Sequence, residues 1–372
     1  MTKTTAIELR HKEILSEINT PLLQWYHQQA RVLHWREDPS PYRVWISEIM
    51  LQQTRVEAVK PFFERFLQTL PDIASLAAAE ESNLLKLWEG LGYYNRARNL
   101  QKTALRLCQE YSGRLPADFN ALLELPGIGR YTAGAVSSIA YGQRCPAVDG
   151  NVLRVITRLT ACPLDILKDS TKRCIENALR QSMPPANEAG AFNQALMELG
   201  AMICLPKNPH CGKCPLQRLC LAAAEECTAS FPVKKPAKAR RIEKKTILLI
   251  RYKDEIALHQ RPAKGLLAGL WELPNLPGHL KKSELTHWLT GQGCTVKKLI
   301  PLPAARHVFS HIEWQMTGWE IHLEAPIAVC EQPSSYCEPV DAAPDLTSLD
   351  FVTLSELHNK YSVPAAFQYY LT

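Results

Sequence analysis

The stretch Leu122–Arg154 reads LLELPGIGRYTAGAVSSIAYGQRCPAVDGNVLR, and its spacing decides the fold of the first half of the chain. An apolar helical segment ends at Leu125, and the sequence PGIG then turns the chain tightly. A second helix, with apolar residues at helical spacing, begins at about Arg130 and ends at Gly142. The pattern predicts a helix-hairpin-helix over about 121–142.

Two glycines make this turn suitable for binding a phosphate. Gly127 and Gly129 have no Cβ, so backbone N–H groups can approach an anion, and the helix that follows adds a favourable dipole. About twenty residues later, Asp149 is placed to cap a helix that runs through Leu159. N-terminal amides favour a charged carboxyl group, so we expect Asp149 to stay ionised. An LPG turn and an aspartate cap also occur in helical proteins that bind no nucleic acid.

The order LPGIG followed by this aspartate resembles the helix-hairpin-helix DNA glycosylase superfamily. The resemblance implies an all-α domain whose hairpin grips the DNA backbone through Gly127 and Gly129. It also implies that Asp149 faces the anomeric carbon of a flipped nucleotide.

Composition sets broad limits on the class of protein. A chain of 372 residues can form two or three domains, and a net charge of +6 does not by itself identify a nucleic-acid binder. No apolar run reaches membrane-spanning length, and glutamates interrupt the first twenty residues, so we expect no membrane partner and no targeting signal. Of the 12 cysteines, one group is clustered, which fits free thiols and one metal site in a reducing prokaryotic cytoplasm. We expect a monomer.

A second candidate acid lies in the helical segment 41–67. Glu48 stands among Ile46, Ile49 and Met50, so its carboxyl group is expected to be partly desolvated, which raises its pKa and suits it to donate a proton. For an arbitrary glutamate, an exposed helix position is the simpler interpretation. Pro61 can interrupt the helix. The sequence also predicts an amphipathic helix over 7–36 and two short helices within 72–110.

The wording WISEIMLQQTRVEAV is similar to adenine DNA glycosylases of the MutY type. This resemblance implies that Glu48 is the catalytic acid and that Gln53 wedges into the duplex, and it adds Arg31 to the DNA-contacting residues. In the later sequence GLGYYNRAR, it implies that Tyr93 is an intercalating ring, whereas we expect Tyr94 to lie in the core.

The residue after LPGIGR bears on the reaction type. In bifunctional relatives, including endonuclease III, a lysine there forms a Schiff base that leads to strand cleavage. This chain has Tyr131, which cannot form an imine, and Leu153 stands where some members carry another lysine. We expect Tyr131 to form hydrogen bonds near Asp149 and Asn151, in a monofunctional catalytic site.

Four cysteines form the most specific motif, with the spacing C-x6-C-x2-C-x5-C: Cys204, Cys211, Cys214 and Cys220. Thiolates alone in a compact loop suit a [4Fe-4S] cluster. Zinc is the alternative metal, although structural zinc sites usually have paired short knuckles and this loop has one C-x2-C. The spacing resembles the cluster loop of endonuclease III and MutY relatives.

The pattern changes after the cluster loop. We assign 1–231 to the helical glycosylase domain, with the iron-sulfur loop at 204–220, 232–245 to a basic linker, and 246–372 to a mixed α/β domain. Alternating apolar residues predict strands at 246–251, 255–261, 296–302 and 313–323, and helices are expected at 282–291, 354–360 and 364–371.

The phrase GLLAGLWELPNLPG resembles the Nudix fold, and this segment resembles the MutT-like C-terminal domain of MutY proteins. The glutamate-rich helix that holds magnesium in Nudix hydrolases is replaced by KKSELTHWLT, so we expect recognition rather than hydrolysis. The resemblance identifies Phe309, Ser310 and His311 as the turn that contacts 8-oxoguanine.

Taken together, the motifs predict a monofunctional DNA glycosylase that removes adenine mispaired with 8-oxoguanine or guanine in duplex DNA. Three alternatives remain: a glycosylase for damaged pyrimidines, a DNA-binding or electron-carrying iron-sulfur protein, and a nucleotide pyrophosphatase. Tyr131 argues against the first, the pair Glu48 and Asp149 against the second, and the missing acidic helix against the third.

Overall fold

The computed structural model describes residues 13–235, 239–326 and 346–371. The chain forms two compact units. The first contains Asn95–Pro236 with the described part of Met1–Ala79, and the second contains Glu80–Tyr94 with the described part of Ala237–Thr372. Within the described ranges, no helix is long and apolar enough to cross a membrane.

The first unit is helical, as predicted. In chain order the helices before residue 236 are α1 (Asn19–Gln29), α2 (His34–Glu37), α3 (Pro41–Leu51), α4 (Val56–Thr69), α5 (Ile73–Ala78), α6 (Glu81–Leu87, in the second unit), α7 (Asn95–Glu110), α8 (Phe119–Leu123), α9 (Arg130–Ala135), α10 (Gly150–Leu159), α11 (Asp169–Ser182), α12 (Ala186–Met202) and α13 (Leu221–Ala224).

The predicted hairpin is formed by α8, a turn and α9, which continues as a π-helical turn over Val136–Ala140. Gly127 has φ +74°, and a Cβ there would lie 2.6 Å from the Cβ of Asn99, so this position requires glycine for both its backbone conformation and its packing. Gly129 is the N-cap residue of α9.

One core of the first unit lies between α1, α10, α11 and α12. These helices contribute fully buried apolar side chains at helical spacing: Leu22, Val152, Ile156, Leu179, Phe192 and Leu196. Because α10 and α12 pack closely, Gly200 of α12 faces Asn151, and a Cβ on Gly200 would lie 2.6 Å from the Asn151 Cβ. This core fixes the helix that follows Asp149.

Three details of the first half differ from the sequence predictions. The helix predicted over 7–36 is interrupted between α1 and α2, and residues 1–12 lie outside the described part of the chain. The break that was expected near Pro61 falls instead between α3 and α4, where Gln53 has φ +59°, and Pro61 lies inside α4. Residues 72–110 form α5, α6 and the long α7 rather than two short helices.

The second unit contains a mixed sheet whose described strands are β1 (Arg241–Tyr252), β2 (Glu255–Gln260), β3 (Trp271–Glu272), β4 (Asn275–Pro277), β5 (Val296–Val308), β6 (Ile312–Leu323) and β7 (Asp350–Thr353). Their order is β3-β2-β1-β6-β5, with β4 pairing with β1 and β7 with β2. The pair β1 and β6 is parallel, and the other pairs are antiparallel.

Helices cover both faces of this sheet. Alternate residues of β1 enter two cores, with Ile247 and Leu249 on one face and Leu248 and Ile250 on the other. The helices α15 (Leu354–Lys360) and α16 (Ala365–Gln368) pack on the first face, and α14 (Lys282–Gly291) packs on the second. The Nudix-like α/β fold is therefore confirmed.

The sequence predictions for this unit need two corrections. The linker predicted over 232–245 is shorter, because Arg241–Lys245 already belongs to β1 and pairs with the first residues of β6. The strands β3, β4 and β7 were missed, since they have only two to four residues each and leave little room for an alternating pattern.

Candidate active site and DNA-contacting residues

A cavity of about 140 Å³ in the helical unit is lined by both predicted catalytic carboxyl groups, Glu48 and Asp149. α3 carries Glu48, and Asp149 is the N-cap residue of α10. Further residues in the cavity wall include Arg31, Trp35, Arg36, Ser47, Tyr131, Asn151, Gln194, Met197 and Glu198. The fold thus brings together side chains from four distant parts of the sequence.

Glu48 is buried, with 5% of its surface exposed. The pKa of Glu48 is raised to about 7, mainly by burial and also by the charge of Asp149, while a hydrogen bond from Tyr131 and the charge of Arg36 partly oppose the shift. The predicted desolvation of this carboxyl group is confirmed. A carboxylic acid with this pKa can both hold and release a proton near neutral pH.

Asp149 accepts hydrogen bonds through both carboxyl oxygens. The backbone N–H of Val152 donates to Oδ1 at 2.7 Å, and the Asn151 amide donates to Oδ2 at 2.8 Å. These bonds confirm the predicted helix cap. The sequence analysis considered the amides but not the depth of burial, and burial outweighs them and raises the pKa of Asp149 above its usual value.

Tyr131 contacts a different carboxyl group from the one we predicted. We expected its hydroxyl near Asp149 and Asn151, but the hydroxyl donates to Oε2 of Glu48. Burial raises the pKa of Tyr131 well above its usual value, and the nearby charges of Glu48 and Asp149 raise it further. Tyr131 therefore stays protonated and acts as a hydrogen-bond donor toward Glu48.

A hydrogen-bonded chain joins Asp149 to the cysteine-rich loop. Asn151, which donates to Asp149, accepts from Nη2 of Arg154 at 2.9 Å, and Nε of Arg154 donates to the carbonyl oxygen of Cys204 at 2.8 Å. One turn further along α10, Nη1 of Arg158 lies 3.4 Å from the Cys204 sulfur. Both guanidinium groups are buried, so α10 links the cavity to the cysteine loop.

The four predicted cysteine ligands line one largely apolar cavity: Cys204, Cys211, Cys214 and Cys220. Short 3-10 turns at Cys211–Lys213 and Gln217–Leu219 fold the loop back on itself between α12 and α13. Among the described residues, no three His, Cys, Asp or Glu side chains converge closely enough to hold a single metal ion. The four cysteines thus share the wall of one cavity.

Two predicted DNA-contacting side chains lie at sharp turns of the backbone. Gln53 has φ +59° and is exposed, and Tyr93 has φ +48° with 47% of its surface exposed. Tyr94 is buried, as predicted. Non-glycine residues rarely adopt positive φ, and they cluster at functional sites. Gly129 has open space where a Cβ would lie, with no described atom within 4 Å.

The predicted recognition turn connects β5 to β6, and the backbone N–H of Phe309 donates to the carbonyl oxygen of Ile312 at 2.8 Å. Ser310 and His311 are exposed, whereas the Phe309 ring is half-buried. Within the same unit, the hydroxyl groups of Tyr93 and Ser310 lie 3.2 Å apart. The turn thus offers a hydroxyl and an imidazole to solvent and directs its ring inward.

Comparisons with known proteins agree with this arrangement. A family model described as "HhH-GPD superfamily base excision DNA repair protein" matches residues 46–185, and the NUDIX domain matches residues 246–372. The adenine DNA glycosylase of Buchnera aphidicola (subspecies Schizaphis graminum) is 37% identical over 295 residues, which cover 78% of this chain and 83% of that protein. The Mus musculus adenine DNA glycosylase is 35% identical, over 84% of this chain and 72% of its own length.

The chain belongs to the adenine DNA glycosylase family. The solved structure of a thermostable thymine-DNA glycosylase has 28% sequence identity, covers 57% of this chain and 98% of its own, and superposes with a TM-score of 0.51. The share of this chain that the thymine-DNA glycosylase structure covers agrees with the size of the helical unit of this adenine DNA glycosylase family member.

The sequence analysis missed an ion pair in the cavity wall of this family member. Glu198 is 1% exposed and accepts from Nε of Arg31 at 2.7 Å and from Arg36 at 2.8 Å. Burial alone would raise the pKa of Glu198, but these hydrogen bonds hold it at about 2. The sequence contained the same signal for Glu198 as for Glu48, namely an acidic residue within an apolar helical segment, here FNQALMELG. The predicted DNA contact Arg31 is thus fixed by Glu198 at the cavity.

Proposed function

We propose that this chain hydrolyses the N-glycosidic bond of adenine mispaired with 8-oxoguanine or guanine in duplex DNA and leaves the strand intact. The observation that carries the proposal is a pair of carboxyl groups, the buried Glu48 and the partly buried Asp149, on one cavity with Tyr131 beside them. The name of the related proteins, adenine DNA glycosylase, supports adenine as the substrate.

A base within a duplex cannot reach a buried carboxyl group, so the adenine must leave the stack and enter the cavity. Gln53 and Tyr93 are suited to fill the space it leaves, because both side chains are exposed at sharp turns. The hairpin glycines Gly127 and Gly129 would hold the phosphate backbone on either side.

Glu48 supplies the acid. Adenine leaves poorly as an anion, so the Glu48 carboxyl group donates its proton to N7 of the base while the C1'–N9 bond breaks and its electron pair moves onto the purine. The pKa of about 7 keeps a substantial protonated fraction at neutral pH. The resulting carboxylate then accepts a proton from the water that attacks C1'.

Asp149 stabilises the sugar cation that forms as adenine leaves. Its carboxylate accepts N–H groups from Val152 and Asn151, which hold its oxygens in place. A fixed negative charge beside an oxocarbenium-like carbon stabilises it directly or through a transient covalent bond, as in retaining glycosidases. Two carboxyl groups in different environments thus take different roles.

Tyr131 supports hydrolysis without strand cleavage. A phenol cannot form the imine that a lyase needs, and this hydroxyl is already used as a donor to Glu48. Asn151 supports the same reaction by holding Asp149.

A [4Fe-4S] cluster fits the cysteine cavity. Among the described residues, four cysteines and no histidine line this cavity, and Cys204, Cys211, Cys214 and Cys220 would supply the four thiolates that such a cluster takes. Arg158, beside the Cys204 sulfur, supplies positive charge for a thiolate-bound group. When bound, the cluster would cross-link the loop 204–220, and we assign it no step in base removal.

Recognition of the opposite base is assigned to the turn Phe309–Ser310–His311. The exposed Ser310 hydroxyl and His311 imidazole can donate or accept hydrogen bonds at a base edge. Glu284, on the helix that replaces the acidic Nudix helix, accepts from the backbone N–H of Lys281, so that carboxylate serves as a helix cap.

The test is a single-turnover assay on a duplex with one adenine opposite 8-oxoguanine, followed with and without hot alkali. We expect free adenine, and strand cleavage only after alkali. Strand breaks without alkali would mean a lyase, and no release of adenine from this duplex would contradict adenine as the substrate.

A further inference from the structure

The side chain of Phe309 packs the recognition turn onto the core of its unit. The Phe309 ring packs edge-on against Trp314, with centroids 4.8 Å apart, and its other neighbour is His307 at 4.7 Å. Trp314 is 1% exposed, whereas Ser310 and His311 are exposed. The turn therefore has one inward-facing side chain, and Trp314 is the surface on which that side chain rests.

Trp314 is itself fixed from several directions. Its indole N–H donates to Glu243 at 2.9 Å, and Phe367 packs against the ring at 5.9 Å. Two cations lie over the ring, Nζ of Lys245 at 4.7 Å from the centroid and the Arg261 guanidinium at 5.8 Å. An indole with a bonded N–H, charged neighbours and an aromatic neighbour has one favoured orientation.

Charged side chains surround Trp314, and of these Glu272 is buried while Lys245 and Arg261 are partly buried. Glu272 pairs with Arg261 at 2.6 Å, and Lys245 donates to the Asn275 amide oxygen at 2.9 Å, so the cations beside the ring are themselves fixed. Burying charged groups costs free energy and is weak evidence for added stability, whereas it can specify one arrangement of side chains. The arrangement specified here ends at Phe309.

We propose that Trp314 is a positioning residue for recognition of the base opposite adenine, because it fixes Phe309 and with it the turn that presents Ser310 and His311. This inference rests on the proposed function of that turn. Hydrogen bonds discriminate between bases only if the donors are held in place before binding, since ordering a mobile turn subtracts from the binding free energy. Trp314 contacts no base in this proposal.

The test measures binding in full-length protein carrying Glu48→Gln, so that adenine is not removed. Dissociation constants are measured for duplexes with adenine opposite 8-oxoguanine and opposite guanine, and their ratio is the readout. Trp314→Leu removes the aromatic surface, and Trp314→Phe keeps part of it. The matched control is Trp319→Leu, because Trp319 is a tryptophan on the same strand that is partly buried and donates its indole N–H to the Leu280 carbonyl oxygen at 3.2 Å.

We expect Trp314→Leu to lower the preference for 8-oxoguanine about tenfold, equivalent to about 1.4 kcal/mol, by weakening binding opposite 8-oxoguanine while binding opposite guanine stays constant. Trp314→Phe should restore part of the preference, and Trp319→Leu should leave it unchanged. If Trp314→Leu does not fold, a smaller loss with Trp314→Phe is the expected result.

The proposal is overturned if the ratio stays at the wild-type value in both Trp314 variants, or if Trp319→Leu lowers it equally. A purely structural Trp314 would lower the melting temperature and weaken both duplexes together. Failure of the proposed function has a different signature, because the parent protein with wild-type Trp314 would then show no preference for 8-oxoguanine.

Discussion

The cavity around Glu48 and the turn around Ser310 are built in opposite ways. Glu48 is 5% exposed, lies on a regular helix, and gains its pKa of about 7 mainly from burial. Ser310 and His311 lie at the exposed end of a pair of strands, and the inward-facing ring of Phe309 packs their turn on the core. The cavity removes the Glu48 carboxyl group from water. The turn keeps the Ser310 and His311 side chains in water but holds their backbone in place.

This difference reflects what each region is proposed to do. A proton donor works at neutral pH if its surroundings disfavour the charged form, which requires a dry pocket. A side chain that forms hydrogen bonds to a base must be accessible to solvent before the base binds. It therefore has to be held in place by residues on the buried side of its turn. Changes in the cavity should therefore alter the rate of excision, and changes in the turn should alter the choice of opposite base.

The largest effect is expected from Glu48→Gln, which keeps the shape of the side chain and removes the acid. The single-turnover rate of adenine release should fall by about 10³-fold or more, since general acid catalysis and the charge on the resulting carboxylate are both lost. Binding to the same duplex should change little. The control Glu110→Gln, at an exposed glutamate paired with Arg106, should keep the wild-type rate, and a Glu48→Gln protein that matches it would remove Glu48 from the acid role.

A smaller loss is expected from Arg154→Met, which removes the link between Asn151 and the Cys204 carbonyl oxygen. Removal of a residue that orients a site residue without contacting the substrate typically lowers activity by about 10- to 100-fold. We therefore expect the excision rate to fall by that factor. Iron content is measured in the same preparation. A full rate in a protein that retains its iron would show that Asp149 is held without this chain of hydrogen bonds.

The recognition turn is tested by Ser310→Ala combined with His311→Ala. Loss of these donors should reduce the preference for 8-oxoguanine over guanine by about tenfold, because each hydrogen bond contributes about 0.5–1.5 kcal/mol. The excision rate opposite guanine should stay constant. Ser283→Ala with His287→Ala changes the same residue types at exposed positions of α14 and serves as the control. A rate that falls equally opposite both bases would break the proposed separation of roles.

Much of the fold could be predicted from local patterns. The hairpin turn depends on Gly127, where the backbone conformation requires glycine. The longer strands could be located from their alternating residues, and the bounds of α14 and α15 were predicted to the residue. The linker boundary and β4 could not be predicted from the sequence. The reason is that Arg241–Lys245 and Asn275–Pro277 become strands by pairing with strands that are distant in sequence. Local sequence carries no information on such pairing.

The candidate site could be predicted residue by residue but not as a network. Glu48 and Asp149 were identifiable from their neighbours and their spacing. The partner of Tyr131 could not be identified, since 83 positions separate it from Glu48, and neither could the burial that raises the pKa of Asp149. The ion pair of Glu198 with Arg31 and Arg36 likewise joins residues that are distant in sequence.

The most direct test of the central claim, that a buried Glu48 donates the proton, is the pH dependence of single-turnover adenine release by the wild-type protein. The pKa of Glu48 is raised to about 7, so the protonated acid predominates below that pH and is lost above it. The account predicts a rate that falls by about tenfold per pH unit above neutral pH. A rate that stays constant or increases up to pH ~9 would contradict it, because the proton would then come from a group other than Glu48.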